Sequence, residues 1–87
     1  MVPYHKNKQQ AFQAAQQGFQ QALDANDNRV KTIGKAEYGK ELAHLTQEMN
    51  EAFVQINKAL EVASEHQYNQ LKQYEQDLMT IQNEMDQ

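Results

Sequence analysis

The sequence predicts an all-α protein: an antiparallel three-helix bundle or a long helical hairpin, completed by dimerisation. Two stripes carry that expectation. Tyr38, Leu42, Leu45, Met49, Ala52, Ile56, Ala59 and Ala63 recur in alternating steps of three and four residues. Leu71, Tyr74, Leu78, Ile81 and Met85 repeat the pattern further on. Such steps place each set on one face of a helix, which must be buried against other helices. The size of the chain is the third observation. Eighty-seven residues make one domain, near the lower limit for a self-sufficient core. Such a core supplies only about 3–5 kcal/mol unless reinforced. With no cysteine, disulfides and thiolate metal sites are excluded, so association with copies of itself or with a partner is the reinforcement left over.

The elements follow in order. Residues 1–6 read as a flexible tail, since Pro3 opposes an early helix start. A first helix is expected over 7–26, opened by Asn7 with Gln10 three residues on. It carries Phe12, Ala15, Phe19, Ala22 and Leu23 on one side and glutamines on the other. Asn26-Asp27-Asn28 is expected to end it, because short polar side chains compete for backbone hydrogen bonds. A loop over 27–32 leads to a second helix over 33–63, with Thr32 as its expected cap. Gly39 inside that helix marks either a close helix contact or a tolerated imperfection. Phe53 and Leu60 widen the stripe, as suits a helix packed against two neighbours. Ser64 followed by Gln67 resembles a capping box and predicts a turn, then a third helix over 65–85. A continuous long second helix is the alternative, because neither Gly nor Pro enforces the break. The expected core is Phe12, Phe19, Leu23, Leu42, Leu45, Met49, Phe53, Ile56, Leu60, Leu71, Leu78, Ile81 and Met85.

Composition restricts function more than it identifies it. Fifteen Gln and seven Asn lower the mean hydropathy to −0.97, yet the apolar periodicity argues against a disordered amide-rich tract. The net charge of −4 divides into +3 over residues 1–40 and −7 over residues 41–87. An acidic chain with one arginine is ill suited to gripping phosphates, so no nucleic-acid partner is expected. No apolar run spans a bilayer and no hydrophobic leader opens the chain, so the expectation is a cytoplasmic protein without a membrane partner.

Few residues suggest chemistry. Glu41-x-x-His44 is the pair that di-iron bundles use twice, and Glu37, Glu48 and Glu51 share its flank. A second such pair is missing, so a solvated acidic flank is the expected role and a metal-binding bundle only a remote alternative. Ser64, the only serine, stands two residues from His66 at an expected helix start, where capping explains it better than nucleophilic attack. His5 falls in the tail. Arg29-Val30-Lys31-Thr32-Ile33-Gly34-Lys35 lacks the phosphate-loop pattern and reads as a solvated basic loop. No catalytic, cofactor or metal residue is therefore expected, and no small-molecule substrate. Val54 and Val62 fall outside the stripe and read as the scattered exposed apolar residues of any surface; the alternative is that, with Phe53, they extend a second sticky surface used for oligomerisation.

Glu37-Tyr38, Leu42, Ala52, Ile56-Asn57-Lys58-Ala59-Leu60, Ser64, Gln70-Leu71, Tyr74, Leu78 and Ile81-Gln82-Asn83-Glu84-Met85 resemble the small YtzC-like proteins of Bacillus and relatives. The resemblance implies a short helical protein of unassigned role, and it brings no site residues. The expected function is a non-enzymatic, self-associating interaction or structural module, a homodimer. The alternative is a small regulator that binds a larger protein by helix-in-groove docking.

Overall fold

A computed structural model of the chain describes residues 4–86, with side chains from Lys8 onward. Three helices follow one another: α1 over Tyr4–Lys31, α2 over Tyr38–Leu60 and α3 over Glu65–Met85. They run up, down and up in a rod whose Cα extents are 52 × 20 × 14 Å. The all-α three-helix bundle is the expected architecture, and the break between α2 and α3 is present. Ser64 makes that break. Its backbone is extended (φ −69°, ψ 168°), the Gln67 backbone N–H donates to its Oγ at 3.3 Å, and its own N–H donates to Gln67 Oε1 at 3.4 Å. Two N–H groups that a helix start leaves orphaned are thereby satisfied without Gly or Pro.

Both stripes face inward. Leu45, Met49, Ala52, Ile56 and Ala59 of α2 are buried, as are Leu71, Tyr74, Leu78 and Ile81 of α3. Tyr38, Leu42 and Ala63 lie half-buried at the ends of the first stripe and Met85 at the end of the second. Leu42 stays outside the contiguous core cluster that takes in the other expected core residues.

The first helix carries two stripes side by side. Ala11, Ala15, Gly18, Ala22, Ala25 and Arg29 keep the three-four spacing, and Ala15, Ala22, Ala25 and Arg29 are buried. This small-residue seam faces α2. A Cβ built on Gly18 would lie 3.3 Å from Ala52 Cα and 3.7 Å from its Cβ, so the two backbones nearly touch there. The close helix contact is therefore at Gly18. Gly39 has open space where its Cβ would stand and is the tolerated imperfection. On the adjacent stripe, Phe19 stacks on Tyr74 of α3 with ring centroids 4.4 Å apart, and Phe12 meets the same ring at 6.4 Å. Small residues hold α1 close to α2, and aromatic rings join it to α3.

Several boundaries differ from the sequence-based expectation. Helix α1 starts at Tyr4, so the expected start at Asn7 lies inside it and Tyr4–Lys6 belong to the helix; Met1–Pro3 of the expected tail lie outside the described residues. The helix also runs through Asn26-Asp27-Asn28 to Lys31. Its seam is the reason: ending at Asn26 would forfeit the burial of Arg29, and Asn26 Oδ1 accepts from Arg29 Nε at 3.1 Å instead of competing for backbone. The second helix begins at Tyr38, not residue 33, because Gly34 takes the left-handed conformation at φ 81°. Thr32 caps the end of α1 and not the start of α2. Its hydroxyl donates to the carbonyls of Asn28 (3.1 Å) and Arg29 (2.9 Å), two of the acceptors a helix end leaves free. The α2 N-cap is Glu37, whose side chain makes no capping bond. At the far end α2 stops at Leu60, three residues early, and the Val62 N–H closes a last turn on the Ala59 carbonyl at 3.2 Å.

Two stability predictions follow from this packing. Ile56 is fully buried, so Ile56→Asp places an unpartnered carboxylate in the core and costs on the order of 4–5 kcal/mol. Circular dichroism is expected to show an unfolded or severely weakened chain; wild-type melting would mean that this stripe is not the core. The two helical glycines are expected to respond oppositely. Gly39→Ala raises stability by up to about 0.5–1 kcal/mol, whereas Gly18→Leu forces α1 off Ala52 and costs about 1–3 kcal/mol, both read from urea midpoints.

Candidate interaction face

With both stripes internal, the surface that remains distinctive is the side of the α1–α2 pair turned away from the core. Ala14, Gln17, Gly18 and Gln21 of α1 and Asn50, Glu51, Val54 and Gln55 of α2 line an open trough of about 470 Å³. Past Gln21 a smaller trough of about 280 Å³ continues between Asp24, Ala25 and Asn28 on one side and His44 and Glu48 on the other. The local cause is the seam. Because Gly18 meets Ala52 backbone to backbone, no side chain fills the cleft between the helices at that level, and Gly18 and Ala14 form its floor.

The polar part of the lining is amide and carboxylate, with His44 at one end. Gln17, Gln21, Asn28, Asn50 and Gln55 supply amides, and Asp24, Glu48 and Glu51 supply negative charge. Neither trough is lined by Lys or Arg. His44 Nε2 lies 3.4 Å from Glu48 Oε2 one turn away, and Gln47 Nε2 donates to Glu51 at 3.4 Å. Val54 is the apolar element, 49% exposed. Phe53 turns the other way, into the core, and Val62 is half-buried. Of the apolar extension expected at Phe53, Val54 and Val62, Val54 is the freely exposed member.

The residues singled out for chemistry do not converge. Among the described residues no group of three or more His, Asp or Glu side chains has the geometry to hold a metal ion. Within the Glu41-x-x-His44 pair, His44 is turned to Glu48. Ser64 Oγ is occupied as a helix cap, and His66 is exposed. His5 lies where side chains are not described. Among the described residues no helix is long and apolar enough to cross a membrane.

Arg29 is the residue whose role sequence reasoning missed. The basic segment Arg29–Lys35 was expected to be solvated throughout, yet Arg29 is only 7% exposed. Its Nη1 donates to the Tyr38 hydroxyl at 3.4 Å, joining the end of α1 to the start of α2. It stands in the last turn of α1, where partial negative charge on the free carbonyls favours a cation. Of the rest, Val30 and Lys31 are exposed but belong to the last turn of α1, so only Ile33, Gly34 and Lys35 form the exposed loop that was expected. On α3, the Glu75 carboxylate hydrogen-bonds Lys72 at 2.8 Å and raises the ammonium above its ordinary value. That pair is exposed and screened, and it marks no site.

No family model, no curated protein and no solved structure matches this chain. Fold and surface geometry therefore carry the functional argument unaided.

A metal requirement is directly testable. Chelator treatment is expected to leave the melting temperature unchanged in both wild type and His44→Ala, because folding that depends on a bound metal is lost with it. Elemental analysis of protein purified without chelator checks the same point; near-stoichiometric iron, manganese or zinc that disappears in His44→Ala would reverse it.

Proposed function

We propose that this chain is a non-enzymatic interaction module that presents the outer α1–α2 face to a partner. The observation that carries the reading is the open trough floored by Ala14 and Gly18 and edged by Val54. A third helix, α3, already occupies the opposite side of the same pair. A helix laid in the trough meets a similar pair of shoulders, and small floor residues permit close approach. The trough is open along its length and its lining is almost wholly solvent-accessible, which suits an elongated partner better than an engulfed small molecule.

Self-association through this face is the second reading, favoured by the half-exposed Val54. A dimer was expected from the sequence because a core of this size, without disulfides or metal, is marginal alone, and the outer α1–α2 face is where a second copy would add to it. Resemblance to YtzC-like proteins agrees with either reading and assigns no role.

Capture from native cells separates them, with Val54→Asp as the control on the face. Val54 makes no part of the core, so the substituted chain is expected to keep wild-type helicity and melting. Capture of tagged wild type after brief crosslinking is expected to recover a recurrent larger protein, and Val54→Asp to lose it. Recovery of nothing but further copies would establish the self-associating module. Equal recovery of the larger protein by both forms would place the working surface elsewhere.

A further inference from the structure

The charge of the trough specifies its occupant. We infer that it receives an amphipathic helix of a partner protein whose seam of small or medium apolar residues is flanked by Lys or Arg; this rests on the interaction reading above. The two troughs share Gln21 and extend from Ala14 to Asn28, roughly 21 Å of α1 at 1.5 Å per residue. That length accommodates about four turns of a docked helix.

Along it, charge is one-sided. Asp24 stands on the α1 wall, Glu48 and Glu51 on the α2 wall, and neither wall contributes a Lys or Arg. His44 at one end is already turned to Glu48. Two copies packed trough to trough would bring six carboxylates together, and like charges across an interface select against that pairing. A helix with flanking lysines meets carboxylates on both walls while its apolar seam covers Val54, Ala14 and Gly18. The amides of Gln17, Gln21, Asn50 and Gln55 bear no formal charge and supply both donors and acceptors for the partner's polar edge. The outer face of α3 is also acidic, but its Glu75 already holds Lys72 at 2.8 Å, a cation that neither trough has among its lining residues, and neither trough reaches it.

The test titrates the full chain with two capped helical peptides of equal length. One repeats an Ala/Leu seam flanked by Lys, the other the same seam flanked by Glu, with backbone amide NMR as readout. The Lys peptide is expected to shift Gln17, Gly18, Gln21, Glu51 and Val54, and the Glu peptide to leave them unmoved. Glu51→Lys and Asp24→Lys, both at exposed positions, are each expected to weaken the Lys peptide up to about fivefold. Asp77→Lys changes net charge equally on the wrong face and is expected to leave affinity near wild type. Equal weakening by Asp77→Lys, or Lys-peptide shifts centred on α3, would overturn the inference. Trough shifts from the Glu peptide alone, or from both equally, would leave the interaction face standing and remove its preference for a basic partner. Silence with both peptides, together with burial of the trough in a concentration-dependent dimer, would overturn the inference and leave self-association as the use of this face.

Discussion

The backbone contact between Gly18 and Ala52 is the constraint on which the rest of the bundle depends. Close helix packing requires small residues at the crossing, and α1 supplies Ala11, Ala15, Gly18, Ala22 and Ala25 at heptad spacing. Such a seam buries little apolar area per residue, so at roughly 25 cal/mol per Å² hydrophobic transfer contributes modestly there and dispersion at short range more. The bulk of the core comes from larger side chains: Leu45 and Ile56 of α2 and Leu71 and Leu78 of α3 are fully buried, and Phe12 and Phe19 of α1 meet Tyr74 of α3. The two halves of the core thus differ in kind. One sets distance and register, the other supplies area. The tight pair also leaves its outer cleft unfilled, so the same contact that orders the fold shapes the face proposed for binding.

Arg29 closes this arrangement at the loop end. It continues the small-residue seam by position, yet it is the longest side chain in that stripe and the only arginine in the chain. Its aliphatic stem extends the packing one turn beyond Ala25, in the manner of long basic side chains that bury their methylenes. Its guanidinium is met by Asn26 and Tyr38 and by the negative end of α1, not by a carboxylate. Removing α1's last turn at Asn26 would expose that packing and separate the two helices where their loop begins.

What was legible in the sequence was the part written in large apolar side chains. The Leu45–Ala59 and Leu71–Ile81 stripes, and the Ser64 capping box between them, needed only periodicity and local hydrogen bonding. The seam of α1 was not legible in the same way, because alanine and glycine barely register as hydrophobic and the neighbouring phenylalanines dominate the pattern. The end of α1 was misplaced for a related reason. Asn26-Asp27-Asn28 is a fair local stop signal, and burial of Arg29 with its bond to Asn26 outweighs it. Thr32 shows the limit of local reasoning: a hydroxyl between two helices can serve either end, and the left-handed Gly34 decides which.

The candidate face was less legible still. Val54 is an apolar residue outside the stripe, and the acidic flank at Glu48 and Glu51 was visible. The α1 wall was not, since Ala14, Gln17, Gln21 and Asp24 are ordinary surface residues of a glutamine-rich helix. They become a wall only when Gly18 brings α1 onto Ala52. An interaction surface built in this way carries no motif, because its distinguishing property is the absence of side-chain bulk at one crossing point. The chain's abundance of Gln and Asn then fits the surface. Amides keep an exposed cleft wet without adding charge, so the three carboxylates on its walls meet no Lys or Arg there, only His44 beside Glu48, and set its electrostatic preference.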